Sequence, residues 1–309
     1  MIKYYKVENG RLASVSDIER AEIVRLIAPT SAELENVSSL ASVPMDFLSA
    51  ACDEDERPRL ESEDGIHLLV LRVPHKNKNN DIPVITIAFG LVLTNGRIIS
   101  VCSVESPVWE TFNASKSQIP TVDAPVVFVC RVLLCIANLY LKHLNFIQSE
   151  ANRVEREIHH SMRNEMLIRM LNLEKCLVYF TTSLRGYDPL WSRLRRIKDG
   201  DLTEPEKELI DEVQIEFKQA HDLAEIHSNI LSGMMDAFAS VISNNLNIVM
   251  KLLTSITIIL MLPTFIASVY GMNVKLPFQN SPHAFAITII MSLILSATGV
   301  ILFWKKKYF

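Results

Sequence analysis

The sequence predicts an α/β domain followed by long helices, with two membrane-spanning helices near the C-terminus. Three observations support this fold class. Of the 309 residues, 49% are hydrophobic and 21% are charged, which is typical of a soluble part joined to a membrane part. The first part of the chain alternates between strand-like and turn-like stretches. Further along, the helical patterns become long and end in two uncharged segments.

Strand and turn patterns place the α/β domain over residues 1–122. Residues 84–102 read as two strands around a turn at Asn95 and Gly96, because this dipeptide favours tight hairpin turns. Residues 67–74 read as another strand that ends at its proline, and a polar loop is expected from the next residue onward.

Capping residues mark two helix starts. Thr30 or Ser31 can cap a helix within the α/β domain, with Glu33 at capping-box distance. Thr203 is expected to cap a second helix, and Pro205 suits the first turn of that helix.

Long helical patterns begin near residue 126. One run reaches about residue 161 and another covers about 165–198, which predicts a helical hairpin over residues 123–203. No proline then interrupts the pattern until Pro263, so one helix is expected over residues 204–270, about 100 Å long at 1.5 Å per residue. Its first half needs packing partners, because isolated helices are marginal in water.

Two uncharged segments, residues 252–270 and 284–304, are long enough to cross a bilayer; the alternative is a pair of buried core helices. Lys251 precedes the first segment and a basic tail, residues 305–309, follows the second, whereas the loop over residues 271–283 holds a single lysine. The positive-inside rule therefore predicts a multi-pass protein of the cell (inner) membrane, with both termini cytosolic and the loop outside.

Composition and motifs argue against several function classes. A net charge of −4 argues against nucleic acid as the main partner. The five cysteines lack a CxxC pattern or accompanying histidines, so no zinc site is expected. We find neither a phosphate-binding P-loop motif nor a catalytic constellation, so we expect neither an enzyme nor a cofactor.

A polar stripe runs along the predicted long helix at steps of four and three residues. This repeat keeps its members on one face of a supercoiled helix. The face carries small, polar or methionine side chains, where a soluble coiled coil would carry Leu and Ile. Its members are Asp236, Ser240, Ser243, Asn247, Met250, Thr254, Thr257, Met261, Thr264 and Ser268.

The stripe predicts an assembly of several copies in the lipid bilayer. Polar side chains within a bilayer face other helices or a water-filled path, and two spans cannot enclose such a path. Copies of the chain would therefore surround one axis, with the first span inside and the second outside. The alternative is tight helix packing through small residues, without conduction.

The sequence YGMN follows directly after the first span, at residues 270–273. At this place between two C-terminal spans, it resembles the signature of the CorA family of magnesium transporters. The acidic-RPR stretch at residues 53–59 and the Pro-Thr pair at Pro29 are also similar to the family, so the resemblance covers the whole chain.

The resemblance implies a pentamer around one pore, in which the long helix is a stalk that continues as the first span. It implies a selectivity filter at Gly271, Met272 and Asn273 and an acidic inner mouth at Asp236. It also implies pore-lining positions at Asn247, Met250, Leu253, Met261 and Thr264. Of these, Met250, Leu253 and Met261 could form apolar constrictions that exclude water, or could simply pack between helices.

The loop after the signature departs from the family pattern, since it carries Lys275 and no acidic residue. The outer mouth would therefore attract cations less strongly. A ring of neutral carbonyls at Asn273 and Gly271 could still hold hydrated Mg²⁺ without trapping it. The alternative is a turn asparagine at a helix end.

Acidic residues are frequent at the start of the predicted stalk. We expect some of them to meet acids of a neighbouring subunit, to bind cytosolic Mg²⁺ and to hold the channel shut; the alternative is a solvated helix face. The candidates are Asp211, Glu212, Glu216 and Asp222.

The resemblance implies a channel for Mg²⁺ influx down the electrochemical gradient, gated by cytosolic divalent ions. One alternative has the same architecture but transports Zn²⁺, Co²⁺ or Ni²⁺. An alternative of another class is a membrane-anchored metal sensor that conducts nothing.

Overall fold

The structure is a computed structural model that describes residues 1–53, 55–77, 81–114, 119–160, 164–197, 202–278 and 281–306. The end of the basic tail, residues 307–309, lies outside the described residues, as does Glu54 of the acidic-RPR stretch. The chain divides into two compact units, Met1–Gly233 and Met234–Phe309.

A seven-stranded sheet forms the base of the first unit. Its strands are β1 (Ile2–Glu8), β2 (Arg11–Val15), β3 (Ile23–Ile27), β4 (Arg59–Glu63), β5 (Ile66–Lys76), β6 (Val84–Thr94) and β7 (Arg97–Cys102). They lie in the order β2-β1-β3-β7-β6-β5-β4, and neighbouring strands are antiparallel except β3 and β7. The fold class predicted for this part, a mixture of helices and strands, is confirmed.

The predicted β6–β7 hairpin is confirmed, with Thr94 paired to Arg97 across the turn. Gly96 has φ +83°, a conformation that glycine adopts without steric cost. The predicted end of β5 at Pro74 is wrong, because Pro74 pairs with Thr86 and His75 continues the strand. The partner strand β4 reaches only as far as Val70, so among the described residues no strand pairs with that side of β5 at Pro74, where a proline is tolerated.

Helices cover both faces of the sheet. Those of the first unit are α1 (Ser31–Ala41), α2 (Met45–Ala50), α3 (Val108–Ala114), α4 (Pro125–His160), α5 (Asn164–Arg185), α6 (Asp188–Leu194) and the first part of α7 (Glu204–Tyr270). Because both faces are covered, β6 is apolar and buried along almost its whole length. Gly90 of β6 lies against Ala51, where an added Cβ would come within 2.4 Å of the Ala51 Cβ.

Both predicted helix starts are confirmed. The backbone N–H of Glu33 donates to Thr30 Oγ1 at 3.3 Å, and the Glu33 carboxylate accepts from the Thr30 N–H at 2.9 Å, which completes the capping box. At the start of α7, the N–H of Thr203 donates to the Glu206 carboxylate at 2.9 Å. These side chains satisfy backbone groups that a helix terminus leaves without partners.

The prediction of one helix over residues 165–198 is wrong, because α5 ends at Arg185 and α6 begins at Asp188. Pro189 lies in the first turn of α6, where its missing N–H costs nothing. In a continuous helix the ring of Pro189 would clash with the carbonyl of Arg185. Tyr187, in the break, is fully buried.

Helix α7 has the predicted bounds, Glu204–Tyr270, and its first part finds the packing partners that it needs. Phe217 packs against Tyr187 and Trp191, with ring centroids 4.4 and 5.2 Å apart. The buried positions recur at steps of three, four and seven residues, which gives one apolar face: Ile210, Val213, Phe217, Ala220, Ala224 and Leu231.

Candidate functional site

The second unit contains the rest of α7 and the helix α8 (Ala284–Lys305). Among the described residues, three helices are long and apolar enough to cross a membrane: α4, α7 and α8. Of the most apolar 18-residue stretch of each helix, 61% is buried inside the fold in α4, against 11% in α7 and 6% in α8. The apolar face of α4 is therefore core, whereas α7 and α8 expose bulky side chains that require lipid or further protein around them.

Helix α8 packs against one face of α7. Ser255 and Ile266 on this face are 1% and 7% exposed. Gly299 of α8 lies against the same face, and a Cβ added to it would come within 3.4 Å of Leu262 Cδ1 and 3.6 Å of Ile259 Cγ1. The four α7 residues follow each other at helical spacing, so the two helices meet along one line of small and branched side chains.

The polar stripe predicted from the sequence lies on a different face of α7, roughly a third of a turn away at 100° per residue. Every member is exposed, so α8 leaves the whole stripe uncovered: Asp236, Ser240, Ser243, Asn247, Met250, Thr254, Thr257, Met261, Thr264 and Ser268. Leu253, which the family resemblance adds, lies at the edge of this face and is 57% exposed.

Two threonines of the stripe have their hydroxyl protons engaged by the backbone. Thr257 Oγ1 donates to the Leu253 carbonyl at 2.8 Å, and Thr264 Oγ1 donates to the Leu260 carbonyl at 3.1 Å. A hydroxyl has one proton and two lone pairs, so each exposed oxygen keeps only its acceptor capacity. This face of α7 therefore offers hydrogen-bond acceptors at these two levels.

Helix α7 ends at the predicted filter residues. The Gly271 N–H donates to the carbonyls of Ala267 and Ser268 at 3.0 and 3.2 Å, which tightens the last turn. The Tyr270 hydroxyl donates to the Pro277 carbonyl at 3.4 Å and so links the helix end to the following loop.

Asn273 lies just beyond this turn and is exposed, as is Met272. Its carboxamide makes no hydrogen bond with the rest of the chain as far as the structure describes it. A turn asparagine that stabilises a helix end would bond to nearby backbone groups. Within the described residues, the structure therefore shows no such contact for the Asn273 side chain.

The candidate regulatory acids belong to the first unit, on the first part of α7. Asp211 forms an ion pair with Arg195, which follows α6 directly, with Nη2 and Oδ1 2.7 Å apart. Glu212 and Asp222 are exposed and Glu216 is half-buried. Within the described ranges, no three acids, cysteines or histidines of one chain come together as a metal site.

The sequence pattern missed the contact between α7 and α8. Ser292, Ser296 and Gly299 of α8 are spaced four and three residues apart, which is the spacing of small residues at packed membrane helices. This regularity could have located the face that meets α7. The hydroxyls of Thr288, Ser292 and Thr298 donate to backbone carbonyls of their own helix at 2.8–2.9 Å, which suits a helix in lipid.

Curated relatives cover most of the chain. It is 24% identical over 288 residues to the cobalt/magnesium transport protein CorA of Methanocaldococcus jannaschii, covering 91% of this chain and 89% of the relative. It is 25% identical over 258 residues to the cobalt/magnesium transport protein CorA of Thermotoga maritima, covering 82% and 73%.

A solved structure shares the fold along the whole chain. The complete structure of the CorA magnesium transporter from Methanocaldococcus jannaschii matches with a TM-score of 0.82 at 22% identity, covering 100% of this chain and 98% of that chain. A family model described as CorA-like Mg²⁺ transporter protein matches residues 20–307. The fold, the two apolar C-terminal helices and this match agree, and the chain belongs to the CorA-like Mg²⁺ transporter family.

Proposed function

We propose that copies of this chain form a membrane channel that carries Mg²⁺ into the cytosol, with the polar stripe of α7 lining the pore. The observation that carries the proposal is the position of α8, which covers another face of α7 and leaves every member of the stripe exposed. A polar face within the membrane is stable only against water or other polar groups.

One chain supplies two spans, so the water-filled path requires further copies of the same chain. We propose a pentamer, as the family resemblance implies, with α7 inside and α8 facing lipid. Both termini are cytosolic in this arrangement, because Lys251, Lys305 and Lys306 flank the spans on that side. The loop over residues 271–283 then lies outside and presents Asn273 at the outer mouth.

Ion selection follows from the hydration of Mg²⁺, which gives up its water reluctantly. Neutral amide oxygens at Asn273 and the Gly271 carbonyl would accept hydrogen bonds from the ion's water shell. Inside the pore, the acceptor oxygens of Thr257 and Thr264 would do the same. Such contacts are weak enough for the ion to leave, which conduction requires.

Met250, Leu253 and Met261 are proposed as apolar constrictions, and Asp236 as the acidic inner mouth.

Transport needs no nucleotide hydrolysis, because a divalent ion gains about 4.6 kcal/mol in crossing 100 mV, twice the value for a single charge. The acids at the start of α7 would close the channel when they bind cytosolic Mg²⁺ between subunits.

Co²⁺ is the second candidate ion, because both curated relatives are named as cobalt and magnesium transport proteins. Both ions carry two charges, and a filter of neutral oxygens that contacts the water shell discriminates weakly between them. Competition between the two ions for uptake would rank them.

The test is Mg²⁺ uptake by the full-length protein in liposomes under a K⁺ diffusion potential, with a Mg²⁺-sensitive dye inside. Asn273→Ala should lower the uptake rate at least about tenfold, since every subunit loses its filter amide. Val274→Ala is the matched control, because Val274 is the next residue and is also exposed. No uptake by the unaltered protein, or equal uptake by the two variants, would contradict the proposal.

A further inference from the structure

A cavity of about 530 Å³ lies in the first unit, between the acidic-RPR stretch and the end of α5. Nothing in the proposed transport cycle uses it. Three arginines from separate parts of the chain line it, together with two threonines and a serine: Arg57, Arg72, Arg185, Thr86, Thr182 and Ser183.

The floor of the cavity is held by hydrogen bonds. Arg72 Nη2 donates to the Thr86 carbonyl at 2.6 Å and to Thr86 Oγ1 at 3.1 Å. The hydroxyls of Thr86 and Ser183 lie 2.8 Å apart and are buried. The Arg72 guanidinium and its hydroxyl neighbours are therefore fixed before any ligand arrives, which lowers the entropy cost of binding.

The walls of the cavity are brought together by a close contact between a glycine and a proline ring. Gly186 lies against Pro58, where an added Cβ would come within 2.8 Å of Pro58 Cδ. Only glycine allows the RPR stretch to approach the end of α5 this closely. The contact brings Arg57, which precedes Pro58, to the same cavity as Arg185, which ends α5.

The charge balance of the cavity favours an anion. Neither Arg57 nor Arg185 forms an ion pair within the part of the chain that the structure describes. Two carboxylates, those of Asp55 and Glu56, also line the cavity, and Glu56 is paired with Arg59, which it shares with Glu61. The three guanidinium groups of the lining outnumber its two carboxylates by one.

The C-terminal end of α5 is a further feature that opposes an anion, in addition to the carboxylates. A helix end carries about half an elementary charge, whereas each guanidinium carries a whole one. Two of the last carbonyls of α5, those of Thr182 and Ser183, already accept hydrogen bonds from the Gly186 N–H at 3.3 and 3.1 Å. The helix end therefore reduces the net positive charge of the lining without cancelling it.

We propose that this cavity binds a polyphosphate group, either of a nucleotide or of inorganic pyrophosphate. A planar guanidinium group can donate two parallel hydrogen bonds to two oxygens of one phosphate. The exposed Thr182 hydroxyl is a further hydrogen-bond donor. The volume exceeds that of a single phosphate. Val178 and Tyr179 at the same cavity are 54% and 41% exposed and offer an apolar surface on which a base can stack, so the nucleotide should bind more tightly.

The experiment is isothermal titration calorimetry of the full-length protein in detergent with ATP, pyrophosphate or adenosine as separate probes. ATP should bind saturably, and pyrophosphate more weakly. Adenosine should not bind at millimolar concentration. Arg57→Gln combined with Arg185→Gln should weaken ATP binding by about tenfold or more, because charge-assisted hydrogen bonds are lost.

The matched control is Arg11→Gln, because Arg11 is exposed on β2 at the opposite edge of the sheet. Tyr179→Ala should weaken ATP binding but leave pyrophosphate unchanged if the source is a nucleotide; an equal loss for both probes would overturn the stacking role. Arg185→Lys, which keeps the charge, should retain part of the affinity. Absence of saturable ATP and pyrophosphate binding to the unaltered protein would overturn the site, whether or not the protein transports Mg²⁺.

Discussion

Arg195 at the end of α6 donates a hydrogen bond to Asp211 Oδ1 at 2.7 Å. The same nitrogen also donates to Gln214 Oε1 at 2.9 Å. The acid proposed as a regulatory ligand is thus already paired within its own chain. Exposed ion pairs of this kind contribute about 0–1 kcal/mol, so a divalent cation bridging two subunits can replace the arginine.

Asp211→Ala combined with Glu212→Gln should weaken the inhibition of uptake by internal Mg²⁺. The concentration for half-inhibition should rise about fivefold or more, because the coupling between the regulatory site and the pore is lost. The liposome assay with graded internal Mg²⁺ measures this. Arg195→Gln, which removes the ion pair of Asp211, should lower the Mg²⁺ concentration for half-inhibition. An unchanged inhibition curve in the double variant would remove this pair of acids from the mechanism.

Thr257→Val tests whether the stripe faces the ion path. Valine keeps the shape but removes the acceptor oxygen, so the uptake rate should fall severalfold. Thr298→Val is the matched control, because Thr298 also donates to a carbonyl of its own helix, that of Ile294 at 2.8 Å, but lies on α8. Equal uptake by the two variants would place Thr257 away from the pore.

Gly299→Leu should destabilise the helix pair of the second unit. The nearest atoms are Leu262 Cδ1 and Ile259 Cγ1, at 3.4 and 3.6 Å from an added Cβ, so a methyl group fits but a leucine overfills the contact. Overpacking of this kind costs about 1–3 kcal/mol. Size-exclusion chromatography after heating should show that the folded Gly299→Leu protein disappears at a lower temperature than the unaltered protein. Gly299→Ala should behave like the unaltered protein. Disappearance of both variants at the same temperature would argue against a tight contact.

His143 of α4 should make the stability of the first unit pH-dependent. Burial, and then the positive charges of Lys76 and Lys142, lower the pKa of His143 to about 4. As the pH falls below about 6.5, the unfolded chain binds a proton that the folded chain refuses, so stability is lost until about pH 4. The loss is at most about 3 kcal/mol, at 1.36 kcal/mol per pKa unit.

Thermal unfolding of the full-length protein between about pH 7 and pH 4.5 measures this effect. His143→Leu should reduce the fall in melting temperature over this range. His283→Leu, at an exposed histidine outside the first unit, should leave the fall unchanged. A pH dependence that His143→Leu does not alter would assign the effect to other groups.

Local sequence signals predicted the elements whose determinants are local. The Asn95–Gly96 turn, the Thr30 cap and the uninterrupted pattern of α7 each depend on neighbouring residues, and each was found where expected. The parallel pairing of β3 with β7, in which Ile23 lies opposite Ile98, depends on residues far apart in the chain, and no local pattern indicates it. The break between α5 and α6 was missed although Pro189 marks it.

The same division holds for the candidate site. The spacing of the stripe is a property of one helix, so the sequence was sufficient to define its face. Which face of α7 meets α8 depends on both helices. The packing role of Gly299 is visible only in the structure, where it lies against Leu262. The arginine-lined cavity combines Arg57 with Arg185, which are distant in sequence, so only the folded chain places them together.

The hydrogen bonds from Thr257 and Thr264 to their own helix have a consequence for anions. A hydrated cation turns water hydrogens outward, whereas hydrated chloride turns lone pairs outward. In the proposed pore, oxygens that can only accept hydrogen bonds would attract the water shell of a cation and repel the water shell of chloride. The channel could thus reject chloride without a single carboxylate at these levels, through the direction of its hydroxyl protons alone.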